Sequence, residues 1–146
     1  MPRVNIDFPG TQPLYVTSVP VRIGDVNYGG HLANDAVLSL AHEARMQALA
    51  SAGFTELGCG GAGLIMADAA IAYKAEAFYG DVINISVFVE ELSTRSFSLL
   101  YLLRTTRDGL TLDVAHVKTG MVSLDYSTRK IVAIPPALLK FLKGEG

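Results

Sequence analysis

The sequence has no strong charge of either sign, a single cysteine and no long apolar run. Twelve Lys and Arg stand against 14 Asp and Glu, a formal net charge of −2. No run of Lys or Arg exists, which argues against binding driven by neutralising nucleic-acid phosphates. Cys59 is the one cysteine, so an intrachain disulfide and a cysteine-based metal cluster are both excluded. No stretch of about 18 apolar residues is free of charge, which speaks against a membrane span. The opening Met1-Pro2-Arg3-Val4-Asn5 has no apolar signal core, so a cytoplasmic location is expected.

The 146 residues suffice for about one domain, and a single domain over 1–146 is expected. Half of the residues are apolar and 18% are charged, the balance of a globular chain. Mean hydropathy is high for such a chain, at +0.34. That excess points to a subunit interface or an apolar ligand pocket.

Residues 1–13, with Pro2, Pro9, Gly10 and Pro13, read as an irregular lead-in. Val16, Val19, Val21 and Ile23 predict a strand over 14–24, with Pro20 favouring an edge position. Residues 24–31 are too rich in turn formers for either regular state. Asn34 and Asp35 are N-cap candidates, and the run from there to Gly53 is free of Gly and Pro and crowded with strong helix formers. On a helical wheel Ala36, Val37, Leu40, Ala41, Ala44 and Ala48 share one face. Four alanines let such a face lie close against a sheet. Leu38 and Leu49 fall elsewhere, which predicts cover around most of the helix.

The glycine cluster Gly58 to Gly63 suggests a mobile loop. Strand patterns follow over 64–77, 81–92, 96–106 and 110–125, with Asp108-Gly109 as a hairpin signal. Pro135-Pro136 precedes a short amphipathic helix carrying Leu138, Leu139, Phe141 and Leu142. The order predicts an α+β fold, one long helix against one face of a sheet, with the last four strands in antiparallel succession.

Asp25-x-Asn27-x-x-Gly30-His31-x-x-Asn34, followed by Glu43-Ala44-Arg45, resembles the hotdog-fold acyl-CoA thioesterases of the 4-hydroxybenzoyl-CoA thioesterase type. Their pattern is D-x-D-x-x-G-H-x-N-N, then E-x-A-R on the central helix. Ile71-Ala72-Tyr73 with Gly80-Asp81 is similar to the family's Y-x-x-P-x-x-x-G-D, and Ser96-Phe97 with Asp108-Gly109 falls where that family has its middle hairpin. The resemblance covers roughly 15–136. Four positions depart from it: Asn27 replaces the second Asp, Ala33 the first of the paired Asn, Val37 a tyrosine, and Glu76 the proline. The resemblance implies a hotdog of about five strands, assembled as a homodimer or homotetramer. It also implies hydrolysis of acyl-CoA or acyl-carrier thioesters by a carboxylate-assisted mechanism.

Glu43 is the leading catalytic candidate. The wheel puts it at the border of the apolar stripe, where a poorly solvated carboxylate suits general-base work. It equally fits an ion pair with an Arg or Lys across an interface. The resemblance pairs it with Asn27, holding water or the thioester. It also brings His31 near the thioester, where the ring would polarise the sulfur or orient water; the plainer role is backbone bonding at the helix entrance. Asp25 would replace the missing aspartate or, more simply, brace the loop. Gly29 and Gly30 precede the helix N-terminus, where free N–H groups would receive an oxyanion, unless they only make a tight turn.

Arg95, and less so Lys74, Arg104 and Lys118, are candidates for the CoA phosphates. No phosphate-loop motif exists, His42 and His116 lack metal-ligand spacing, and no metal or cofactor is expected. Two other functions compete: a hotdog hydratase or dehydratase using His31 as base, and a non-catalytic acyl-CoA-binding module, which Asn27 favours.

Overall fold

The computed structural model describes residues 3–145; Met1 and Pro2 of the expected lead-in, and Gly146, lie outside the described residues. The element order is β1 (Tyr15–Pro20), a 3₁₀ turn (Ile23–Asp25), α1 (Asn34–Ser51), β2 (Gly63–Tyr73), β3 (Val82–Glu90), β4 (Ser96–Arg107), β5 (Leu110–Asp125), β6 (Lys130–Ile131) and α2 (Pro136–Leu142). The expected α+β arrangement holds: α1 packs on one face of an antiparallel sheet, the hotdog the resemblance implies.

The sheet runs β1-β3-β4-β5-β2, with β6 adding two residues beside β5. The expected succession of the last four long strands is therefore only partly right. β3, β4 and β5 form a meander, but β2 pairs with β5, from Gly63↔Leu124 to Tyr73↔Ala115. β3 takes β1 as its other neighbour. Both outer strands come from the first half of the chain. β1 is an edge, as Pro20 predicts, but it stops at that proline, and Ile23 lies in the 3₁₀ turn, not in a strand. At the hairpin, Asp108 and Gly109 have φ of 52° and 76°, the paired left-handed conformation a two-residue turn needs.

All six residues of the predicted helical face are buried, Ala41 and Ala44 completely. All but Ala48 pack with Ile83, Ile85, Val87, Tyr101, Leu103 and Val117 of the sheet in one core. Cover around the rest of the helix is incomplete. Leu49 is buried, but Ser39, His42, Glu43, Met46 and Ala50 are exposed, leaving α1 an open side. The helix begins at Asn34 with Ala33, not Asn34 or Asp35, at the N-cap, and no side chain caps it. Ala33 is fixed there because its N–H donates to the Asp25 carbonyl at 2.8 Å. At the other end Gly53, at φ 81°, turns the chain out of the helix.

Arg45 faces inward and is 4% exposed. Its Nε donates to Glu56 Oε2 at 3.1 Å and Nη1 to the Tyr101 hydroxyl at 3.0 Å, which bonds Thr119 at 2.8 Å. A buried charge of this kind is tolerated only when its donors are met. Glu56 also bonds His42, at 2.7 Å. The glycine-rich segment after it is pinned rather than loose in its bonding: Cys59 N donates to Ala62 O at 2.8 Å and Leu64 N to Glu56 O at 2.7 Å.

The other face of the sheet is covered by part of the expected lead-in. Ile6 and Phe8 pack on Phe88, Leu100 and Leu102. β4 is consequently buried on both faces from Phe97 to Leu103, where the sequence showed only a period of two. β2 is the opposite case. It is bare along one edge, and Ile65 and Met66 are 45% and 40% exposed.

Leu40 is 1% exposed at the centre of the helix–sheet contact. Leu40→Ala is expected to lower the unfolding free energy by about 2–5 kcal/mol, read as a lower urea midpoint at unchanged slope.

Candidate active site

The loop that leads into α1 is built by two side chains. Asp25 is buried; its Oδ2 accepts the Arg22 N–H at 2.9 Å and Arg22 Nε at 3.2 Å. These bonds brace the loop. Asn27 organises the tip. Its Oδ1 accepts the N–H groups of Gly29 at 3.0 Å and His31 at 3.2 Å, and its carbonyl accepts Gly30 N at 3.0 Å. Gly30 sits at φ 79°, where a side chain is strained. The N–H groups of Gly29, Gly30 and His31, expected to receive an oxyanion, are thus engaged by Asn27.

Two other donors are available. Among the described residues, no backbone or side-chain group accepts the N–H of Asn34 or Asp35, the first residues of α1. Together with the positive end of the helix dipole, they offer a place for developing negative charge. This end of α1 opens on a cavity of about 280 Å³ lined by Asn27, His31, Asn34, Tyr73, Lys74 and Glu76, over an apolar floor that includes Val37 and Val114. His31 Nδ1 stands 3.3 Å from Glu76 Oε1. The Phe78 ring stands perpendicular to the imidazole, at 5.2 Å between centroids. Tyr73 donates its hydroxyl to the Asn34 carbonyl at 3.1 Å, tying β2 to the helix entrance.

The structure brings Asn27, His31 and the glycine turn together, but not Glu43. Glu43 follows Asn34 by about two and a half turns, or about 13 Å, and so faces the opposite side of α1. It is exposed, so the poor solvation expected of it is missing in the single chain. Its surroundings are ordered nonetheless. Thr17 donates its hydroxyl to Gln47 Oε1 at 2.6 Å, which turns the Gln47 amide to donate to Glu43 Oε2 at 2.8 Å.

Arg95 is exposed in the β3–β4 turn, where its carbonyl accepts Ser123 N, at the far end of β5 from Val114. Of the four cations considered for phosphates, Lys74 is the one at the cavity. Arg104 pairs with Asp113, and Lys118 with Glu91. Cys59 is buried and its thiol donates to Thr55 O; burial first, and then Glu56, push it up to about 11, so it stays an unreactive thiol. The described residues contain no cluster of three or more side chains suited to a metal ion. Sequence reading missed Tyr73 and Glu76; the one signal for Glu76 was its place where the family pattern has proline.

Asn27 makes a direct prediction. Asn27→Asp retains an oxygen for both N–H groups and is expected to keep the parent's stability. Asn27→Ala is expected to cost about 1 kcal/mol, and thermal unfolding of the pair makes the comparison.

Similar folds are found among solved structures. A 1,4-dihydroxy-2-naphthoyl-CoA thioesterase from Synechocystis superposes with a TM-score of 0.78 at 20% identity, covering 88% of this chain and 95% of that one. A gentisyl-coenzyme A thioesterase gives 0.74 at 22% identity, covering 88% and 99%. A Staphylococcus aureus protein solved in complex with CoA gives 0.80 at 14%, covering 94% and 87%. None of the curated proteins matches. No helix of the described residues is long and apolar enough to cross a membrane. The family model of the thioesterase-like superfamily matches residues 21–142, most of the sequence, and the chain belongs to that superfamily.

Proposed function

We propose that the chain hydrolyses acyl-CoA or acyl-carrier thioesters to free acid and thiol. The observation that carries this reading is the cavity at the uncapped start of α1, lined by Asn27, His31 and Asn34, where the helix leaves two N–H groups without acceptors among the described residues. A thioester carbonyl at that place would direct its oxygen to those donors as negative charge develops. The names of the two CoA thioesterases, and the CoA held by the third relative, support CoA as the thiol. Lys74 at the cavity rim supports it too, as a cation for a phosphate or a carboxylate.

In this reading Glu43 is the carboxylate that activates water or attacks the carbonyl. It cannot reach the cavity of its own subunit, so it works from the open side of α1 in a neighbouring copy. The ordered Thr17–Gln47–Glu43 relay supports a role beyond solvation. The assembly that supplies it is a homodimer or homotetramer. The bare edge of β2, with Ile65 and Met66 exposed, supports pairing there, because an unpaired apolar edge favours a partner strand. Light scattering at micromolar concentration is expected to give a multiple of the 15.6 kDa chain mass; a monomer would leave Glu43 without a cavity to serve.

The activity itself is tested by steady-state thiol release from a panel of acyl-CoAs. Turnover is expected, and Glu43→Gln is expected to lower it about 10²–10⁴-fold with folding unchanged. An unchanged rate removes Glu43 from the mechanism. Tight acyl-CoA binding without thiol release would replace the hydrolase with a binding module.

A further inference from the structure

The cavity holds a carboxylate that the reading above does not use. Glu76 and His31 meet at 3.3 Å with side chains 64% and 38% exposed, so both can touch a ligand. Their backbones are joined as well: His31 bridges Phe78, and Leu32 N donates to Ala77 O at 2.7 Å. The segment carrying Glu76 is clamped from β4. Arg107 donates to the Glu76 carbonyl at 2.9 Å and to Asp81 Oδ2 at 3.1 Å, and its guanidinium lies 4.9 Å from the Phe78 ring centroid. Asp81 Oδ2 in turn accepts Phe78 N at 2.9 Å. The imidazole thus has Glu76 at one nitrogen and the Phe78 ring perpendicular to it, two contacts that orient the ring.

The nearby carboxylates are otherwise occupied. Asp25 is held by Arg22 behind the loop, and Asp81 by Arg107. Glu76 is the carboxylate that lines the cavity, and Lys74 is the other charged group there.

We propose that Glu76 positions His31 as the acid that protonates the departing thiolate, a role that rests on the thioesterase reading above. Water adds to the thioester carbonyl and gives its proton to the base. As the tetrahedral intermediate collapses, the C–S bond breaks and sulfur keeps the electron pair. The protonated imidazole, anchored through Nδ1 to Glu76, gives its Nε2 proton to that sulfur. It recovers a proton from the protonated base through solvent, so no charge or proton is left over.

An alkyl thiolate such as that of CoA leaves poorly without a proton, whereas an aryl thiolate leaves well alone. The test therefore compares acyl-CoA with the thiophenyl ester of the same acyl group, in parent, Glu76→Ala, Glu76→Gln and His31→Gln. His31→Gln is expected to lower kcat on acyl-CoA about 10²-fold, and each Glu76 variant about tenfold, with KM little changed. All three are expected to hydrolyse the thiophenyl ester at close to the parent rate. Equal losses on the two esters would mark a structural role, and undiminished acyl-CoA turnover would mark none; either overturns the proposal. A parent that hydrolyses neither ester overturns the thioesterase reading itself.

Discussion

The close approach of α1 to the sheet is the constraint on which the rest depends. Ala41 and Ala44 have no exposed surface, and neither offers a large side chain to hold the helix away from β1, β3 and β5. At that distance a long side chain on the inner face has few places to go. Arg45, between Ala44 and Ala48, reaches Glu56 and the Tyr101 hydroxyl, which in turn bonds Thr119. The same network reaches from the helix to the sheet and to the segment before β2. A larger residue in the stripe would lift the helix, part the Arg45 donors from Glu56 and Tyr101 and move the start of α1, where the cavity lies. Packing in the middle of the helix and the shape of the cavity at its end are thereby linked through one rigid element.

The site's polarity follows from what the helix entrance lacks. A side chain at the N-cap ordinarily takes up the first free N–H groups of a helix. Ala33 cannot, and Asn27 spends its carboxamide one turn earlier, on Gly29 and His31. The loop is thus self-contained while the helix end is not. Tyr73, Lys74 and Glu76 then close the space from the exit of β2.

Much of this was legible in the sequence wherever the governing contacts are local. The helix declared itself through eighteen residues without Gly or Pro, and the hairpin through Asp108-Gly109. The motif around Asn27 and His31 located the loop. What could not be read depends on distant partners. The pairing of β2 with β5 reverses chain order, and nothing in either strand's alternation says which neighbour it takes. The packing of Ile6 and Phe8 on the far face is invisible in a segment patterned by Pro and Gly. Glu43 illustrates the limit of a helical wheel. It fixes which residues share a side, but whether that side is covered is decided by other elements, and here the side is open. Glu76 meets His31 only because β2 and the loop converge, which spacing along the chain does not encode.

The strand order also sets a timetable. β3, β4 and β5 are sequential, so their ladders close over short loops and can form early. β2 is made before all three, yet its partner is the last long strand, with Gly63 opposite Leu124. β1 likewise waits for β3, with Tyr15 opposite Val87. The chain must therefore carry an apolar, unpaired β2 through synthesis until β5 is complete, at the loop-closure entropy of a distant contact. Folding is then slowest at the strand that remains bare on its outer edge in the folded chain. A nascent chain crowded by its own kind is most exposed to mispairing along that strand.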